Sequence, residues 1–214
     1  MKIMDIYRLV FSPIEVNTYI LADGSGKCAV IDCGCYSMSE FERLTRFLEE
    51  KKLEPVLLLN THCHLDHIFG NGMFQARYNL GTYCHKDEES NRHNSVLHAQ
   101  LFGLKMDTPP EPAGLLNGDQ TITFGSVSLK VLHVPGHAAG SIAFYSRDEN
   151  AVFTGDALFS GSIGRTDLPG GNYETLIQSI RSKLFTLPPE TKVYPGHGDS
   201  TTIEIEMKTN PYFK

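Results

Sequence analysis

The chain has no apolar run approaching the ~20 residues that a membrane-spanning helix requires. Its opening stretch, Met1-Lys2-Ile3-Met4-Asp5-Ile6-Tyr7-Arg8, has neither the long apolar core nor the small-residue cleavage site of a signal peptide. No membrane partner is expected, and the expected location is cytoplasmic. Basic charge is scarce as well: 19 Lys and Arg stand against 25 Asp and Glu, a formal net charge of −6. General nucleic-acid binding needs a basic face, so it is not expected here. Cysteine is sparse and odd in number. Cys28, Cys33, Cys35, Cys63 and Cys84 show no zinc-finger spacing, and Cys33-Gly34-Cys35 lacks the two-residue spacer of a redox pair. Free thiols in a reducing compartment are the expectation. What remains is ordinary for a soluble globular chain. At 214 residues, 41% hydrophobic and 21% charged, it suits one domain over residues 1–214 with a substantial core.

Against that plain background one stretch stands out: Thr61-His62-Cys63-His64-Leu65-Asp66-His67. It follows the apolar run Val56-Leu57-Leu58-Leu59, which Pro55 opens and Asn60 closes, so it reads as a polar loop delivered by the C-terminal end of a buried strand. Imidazoles and a carboxylate packed this densely would repel or strand one another in an apolar setting. A divalent metal resolves this, because neutral His and ionised Asp are its ordinary ligands. Cys63 alternates away from His62 and His64 and reads as a small buried side chain.

The flanking chain supplies short strands over residues 3–10, 16–21 and 28–31, with a turn at Asp23-Gly24-Ser25-Gly26. Asp32 ends the third strand, either supporting the loop from behind or forming a turn. Residues 37–51 form a helix with a Ser37/Glu40 capping box and Phe41, Leu44, Phe47 and Leu48 on one face. A second helix is expected over residues 68–78. Residues 79–118 are hard to decipher: a strand at 82–85, a solvated charged face at 86–93, a short helix at 96–102, and a stiff loop at Thr108-Pro109-Pro110-Glu111-Pro112 suited to shaping a substrate pocket. His85, His93 and His98 fall outside any ligand spacing and read as structural or surface residues. Strands follow at 121–124, 127–134, 141–145, 151–154 and 192–194, with an amphipathic helix at 172–184 and a terminal helix capped by Thr201 and Glu204. Two strands deliver the same device, Val134-Pro135-Gly136-His137 and Tyr194-Pro195-Gly196-His197, and two end in aspartate, at Asp32 and Asp156. The echo suggests two halves of similar plan.

His62, His64, Asp66, His67, His137, Asp156 and His197 thus make seven potential ligands at strand ends or in loops. In order and spacing they resemble the metallo-β-lactamase superfamily, with the match running over residues 16–200. The resemblance implies an α/β fold, a four-layer αββα sandwich with mixed sheets and metals at the exposed edge. It implies that His62, His64 and His137 hold one metal, that Asp66, His67 and His197 hold a second, and that Asp156 bridges them. The cofactors implied are two divalent ions, zinc first, with iron or manganese accepted by the same ligands. Between them a water of depressed pKa would supply hydroxide, with Asp66 orienting it, so the absence of a Ser-His-Asp motif is no objection.

Within the superfamily, Gly164-Arg165-Thr166-Asp167, Leu168-Pro169-Gly170-Gly171 and the terminal Asn210-Pro211-Tyr212-Phe213 resemble the hydroxyacylglutathione hydrolase (glyoxalase II) group. Long members continue into a helical domain, whereas this chain stops at Lys214 and resembles the short single-domain hydrolases. A small-molecule thioester substrate, of glutathione or another thiol, is implied. Arg165 is the candidate substrate-binding residue, with pairing to Asp167 as the competing role. Other readings are a persulfide dioxygenase with one iron on His62, His137 and Asp156, a lactonase, and a non-catalytic metal-binding protein. A β-lactamase, which would need export, and a nuclease, which would need a basic arm, fit less well. The sequence leaves the oligomeric state open.

Overall fold

The computed structural model describes residues 4–214, so residue 3 of the first expected strand lies outside the described residues. Fourteen strands and six α-helices follow in order among those residues. The first half contains β1 (Met4–Phe11), β2 (Val16–Asp23), β3 (Lys27–Ile31), α1 (Met38–Glu50), β4 (Glu54–Leu59), α2 (Leu65–Ile68), α3 (Asn71–Tyr78), β5 (Thr82–His85), α4 (Glu89–Leu101) and β6 (Gly114–Leu116). The second contains β7 (Thr121–Phe124), β8 (Val127–His133), β9 (Ile142–Ser146), β10 (Ala151–Gly155), β11 (Leu158–Phe159), β12 (Ser162–Ile163), α5 (Tyr173–Ser179), β13 (Lys192–Pro195), β14 (Thr201–Thr202) and α6 (Ile203–Thr209).

Two six-stranded sheets result, ordered β1-β2-β3-β4-β5-β6 and β14-β13-β10-β9-β8-β7. Both are mixed. The first is antiparallel through β3 and parallel from β3 to β6, while the second is antiparallel except where β10 pairs with β13. Pro55 lies inside β4 rather than before it. The β3–β4 register shifts there, between Cys28 and Ala29, which accommodates a residue with no N–H to donate.

The layers follow from which faces are apolar. Tyr19, Leu21, Ile31, Leu59, Leu129, Val131, Phe144 and Phe153 fill the space between the sheets. The outer face of the first sheet packs Ile20, Val30 and Leu58 against Phe41, Leu44 and Leu48 of α1 and Phe74 of α3. The outer face of the second packs Leu132, Val152 and Val193 against Leu176 of α5, Ile180 and Leu184 beyond it, and Ile203 of α6. Helix, sheet, sheet, helix is the four-layer αββα arrangement expected. Strands buried on both faces, such as β2, β9 and β10, read as continuous apolar runs for this reason.

Several local expectations need correction. The helix expected over residues 68–78 divides into α2 and α3, so Asp66 and His67 stand in a short helical turn and not in an open loop. The charged segment at 86–93 is solvated at Lys86, Asp87, Glu89, Ser90 and His93, but not throughout. Glu88 and Arg92 are buried at the start of α4, which runs well beyond the short helix expected at 96–102. The cap of α6 is Thr202, whose hydroxyl accepts from the Ile205 N–H, while the Thr201 hydroxyl donates to Glu206. The capping box of α1 is present, with Ser37 and Glu40 in reciprocal bonds. The echo is not a repeat of halves, because β8 and β13, which precede the two Pro-Gly-His turns, lie in one sheet.

Phe144 is fully buried between the sheets. Phe144→Ala should lower unfolding stability by about 3–5 kcal/mol, read as a reduced urea midpoint at unchanged slope.

Candidate metal centre

The two sheets bring their loops to one edge. β4 leads through Asn60 and Thr61 into His62–His67, and the Thr61 carbonyl accepts from the Ile142 N–H of β9, joining this loop to the second sheet. β8 leads into His137, β10 into Asp156 and β13 into His197. The Asn17 side chain and the Tyr19 hydroxyl of β2 both donate to the Pro195 carbonyl, at 2.9 and 2.7 Å, fixing the turn before His197 from across the sandwich. Glycine is required at two of these turns. Gly155 has a φ of +50° and a Cβ on it would collide with the Thr61 side chain, while a Cβ on Gly196 would collide with Asp156 Oδ1.

The structure brings all seven expected residues together. Ligand atoms of His62, His64 and His137 lie within 4.8 Å of one another, as do those of Asp66, His67 and His197, and of His62, His67 and Asp156. His64 Nδ1 is 2.8 Å from His137 Nε2, which is 3.2 Å from His62 Nε2. His197 Nε2 is 3.1 Å from Asp66 Oδ2. The Asp156 carboxylate stands between the groups, with Oδ1 3.3 Å from His67 Nε2 and Oδ2 3.7 Å from His137 Nε2 and 3.6 Å from His197 Nε2.

The outer nitrogens decide what the inner ones present. His137 Nδ1 faces the Arg165 carbonyl at 2.8 Å, His197 Nδ1 the Glu15 carbonyl at 3.2 Å, and His67 Nδ1 the Asp32 carboxylate at 2.9 Å. Each of these partners accepts, so each Nδ1 carries a proton and each Nε2 is turned inward. His62 Nδ1 meets the Thr61 hydroxyl at 3.1 Å, and that hydroxyl already donates to Asp32 at 2.6 Å, which gives His62 the same tautomer. Lone pairs of His62 and His137 therefore face one another at hydrogen-bond distance with no proton between them. His67 Nε2 and Asp156 Oδ1 are buried without a hydrogen-bond partner. Inward lone pairs and orphaned buried polar atoms are what a bound cation satisfies, and the donor set of imidazole and carboxylate suits a divalent one.

Electrostatics divide the cluster. Burial favours neutral His62, His64 and His137. Against the opposing effect of burial, the carboxylates of Asp156, Asp66 and Asp32 hold His67 above the ordinary imidazole range, and those of Asp66 and Asp156 raise His197. A bound cation would take the place of protons there. Burial, reinforced by His67, His64 and His137, holds His62 well below the ordinary imidazole range, and burial with His137 pushes His64 down to about 3. Burial opposes ionisation of Asp156, yet the adjacent His67, His137 and His197 keep its carboxyl below the ordinary carboxylate range.

Three supporting residues surround the cluster. Asp32, with a left-handed φ of +54°, accepts from the Thr61 N–H at 2.8 Å and from His67. Asn60 donates to the His67 carbonyl at 3.0 Å and accepts from Thr82 and Asn71. Glu88, with no exposed surface, accepts from the N–H groups of Cys63 and Gly140, both at 2.7 Å, and from Asn91. It thereby ties the His62–His67 loop to the His137 loop. Burial raises its pKa, and those three donors offset part of the rise. Asp32 was legible as a strand-end aspartate. Glu88 lay in a charged run, and no local pattern marked it as buried.

The remaining candidates fall elsewhere. Arg165 lines the cleft over the cluster, but its Nε and Nη2 are held by Asp167 at 2.7 and 2.8 Å, the pairing weighed against a substrate role. His98, read as structural or surface, stands at the wall of this cleft and outside the ligand groups. His85 stacks on His133 at 4.3 Å with planes 11° apart, near Asp87. Nearly parallel rings cannot both aim lone pairs at one ion, and His85 Nδ1 already accepts from the Asp87 N–H. The proline loop does not shape the cleft. Thr108 and Pro109 wall a separate cavity of about 630 Å³ with Tyr36, Phe69 and Met106.

Fold and site together define a class. The family model of the metallo-beta-lactamase superfamily matches residues 12–197, and the chain belongs to that superfamily. Among relatives, it is 36% identical to a probable metallo-hydrolase, YqgX, of Bacillus subtilis (strain 168), over 96% of this chain and 95% of the relative. It is 35% identical to the hydroxyacylglutathione hydrolase GloC of Haemophilus influenzae, over 98% of each. Two solved structures are similar over nearly their whole length. The BLEG-1 B3 metallo-beta-lactamase has a TM-score of 0.91 and 33% identity, covering 98% of this chain and 100% of that one. TTHA1623 in a di-iron-bound form has a TM-score of 0.88 and 36% identity, covering 96% and 99%. The chain is a metallo-hydrolase of this superfamily, whose members bind divalent metals.

Asp32→Ala would free the Nδ1 proton of His67 and two Thr61 donors. Zinc affinity, read by chelator competition, should fall about 10–100-fold. Glu88→Ala should cost at least about 2 kcal/mol in urea unfolding, because two buried N–H groups lose their acceptor.

Proposed function

We propose that the chain is a binuclear hydrolase of thioesters, similar in chemistry to hydroxyacylglutathione hydrolases. One observation carries this reading: all seven ligand-type side chains face one another in two groups, with the Asp156 carboxylate between them. His62, His64 and His137 would hold one divalent ion, Asp66, His67 and His197 the other, and Asp156 both. Zinc is the expected metal, with iron or manganese accepted by the same donors. When bound, the ions supply Lewis acidity at the substrate carbonyl and depress the pKa of a shared water toward neutrality.

The chain's own groups do the rest. Asp66 orients the attacking oxygen from within the cluster. Asp32, Thr61 and the carbonyls of Glu15 and Arg165 hold the imidazole rings with Nε2 facing inward, so no ring has to turn before ligands are presented. Arg165 stands at the cleft wall, beside the thiol portion of the substrate. Attack at the carbonyl forms a C–O bond, breaks the C–S bond and releases a thiol without a protein nucleophile. The thioester preference is supported by the 35% identity with the Haemophilus influenzae hydroxyacylglutathione hydrolase and by the stretch from Gly164 to Gly171. No helix among the described residues is long and apolar enough to cross a membrane. A cytoplasmic location belongs to the same proposal and is supported by five buried, unbridged cysteines.

A panel of thioesters and lactones, assayed beside metal analysis of the same preparation, tests the proposal. Two metals per chain with thioester turnover is the expected result. One iron per chain with oxygen uptake on glutathione persulfide would sink it. Asp156→Ala should lower both metal content and hydrolysis, and full occupancy at an unchanged rate would refute the two-metal reading.

A further inference from the structure

The floor of the cleft is polar, whereas its rim, Arg165 and His98 apart, is apolar. A space of about 370 Å³ opens above His64, Asp66, His137, Asp156 and His197, and its walls include Ile14, Leu101, Phe102, Leu168 and Pro169. These come from separate parts of the chain. Ile14 lies in the turn between β1 and β2, Leu101 and Phe102 at the C-terminal end of α4, and Leu168 and Pro169 beyond Asp167. Two are conspicuously exposed: Leu101 at 76% and Phe102 at 57%. Single exposed apolar residues need no explanation, but a ring of them around a polar cluster does. Charge points the same way. Among the described residues, Arg165 is the only Lys or Arg lining this space, and its charge is matched by the bidentate Asp167. A glutathione conjugate carries two carboxylates, and the rim offers them no unmatched cation. It offers instead an apolar surface continuous with the cluster where the scissile carbonyl would sit.

We infer that the cleft selects its substrate by an apolar acyl chain of several carbons, seated against Ile14, Leu101, Phe102, Leu168 and Pro169. This inference rests on the hydrolase reading above and names the acyl half of its substrate. The thiol half passes the neutral Arg165–Asp167 pair and contributes little selectivity through charge. Full burial of a methylene corresponds to roughly a fourfold gain in binding, and partial burial in an open cleft to about twofold.

The test uses metal-loaded full-length protein and acetyl, butyryl, hexanoyl and octanoyl thioesters of N-acetylcysteamine, a small uncharged thiol, beside S-lactoylglutathione. From acetyl to hexanoyl, kcat/KM should rise about sixteenfold, from four methylenes at about twofold each. Leu101→Ser/Phe102→Ser changes two exposed side chains and should flatten that slope to a few-fold at most. Calorimetric titration of acetate and hexanoate into the same preparation reads the acyl site without turnover, and hexanoate should bind at least tenfold more tightly. A chain-length-independent kcat/KM, a slope unchanged in the double variant, or S-lactoylglutathione turned over tenfold better than the hexanoyl thioester would each overturn the inference. If no thioester or lactone is hydrolysed, the hydrolase reading fails by itself. The titration then still decides the acyl site, with equal affinities for acetate and hexanoate counting against it.

Discussion

The structure depends on one electrostatic constraint: five imidazoles and two carboxylates share a nearly dry edge, with lone pairs turned toward each other. Left alone, such a cluster is costly. Buried lone pairs face one another, and His67 Nε2 and Asp156 Oδ1 have no hydrogen-bond partner. Divalent cations convert that cost into ligation. The arrangement does not rely on the cations alone, because the outer nitrogens of His62, His67, His137 and His197 are each engaged by an oxygen acceptor that holds Nε2 inward. Asp32 is central to this. One carboxylate orders Thr61 and His67, and through Thr61 it orders His62.

The sandwich supplies the rigidity for holding such a cluster. No single sheet carries the whole set. The His62–His67 segment emerges from the first sheet, and His137, Asp156 and His197 emerge from the second. The edges are joined by the Ile142–Thr61 and Asn17–Gly196 backbone bonds, by side-chain donors from Asn17 and Tyr19 to Pro195, and by Glu88 between the Cys63 and Gly140 amides. A displacement of one sheet against the other would be felt at once in the ligand distances, and the large aromatic core between the sheets resists it.

Above the cluster the chemistry changes within one side-chain length. Reactivity belongs to the polar floor, which fits the superfamily as a whole. Selectivity belongs to the apolar rim, built from the β1–β2 turn, the end of α4 and the loop after Asp167. Such connecting segments can change without disturbing the ligands, so closely similar metal centres can serve different substrates.

The metal-ligand chemistry was legible in the sequence because it is locally encoded. His62, His64, Asp66 and His67 lie within one turn of chain, and Pro-Gly-His and Thr-Gly-Asp mark the ends of apolar strands where side chains must leave the sheet. Many of the strands and helices were legible from their apolar patterns, whereas the four-layer arrangement was implied by the resemblance of the ligand motifs to the superfamily and not by those patterns. What only the tertiary structure decided depends on partners distant in sequence. Glu88 is buried because the Cys63 and Gly140 amides meet it, and nothing in the run from Lys86 to His93 encodes those amides. The left-handed Asp32 gains its role from Thr61 and His67. Arg165, by contrast, pairs with Asp167 only two residues on, and the fold decides only that Arg165 stands at the cleft wall. Leu101 and Phe102 read as ordinary helix residues until folding left them at the cleft rim. Local chemistry is written in the chain, whereas long-range hydrogen bonds and the exposure of a surface exist only once the sheets have closed.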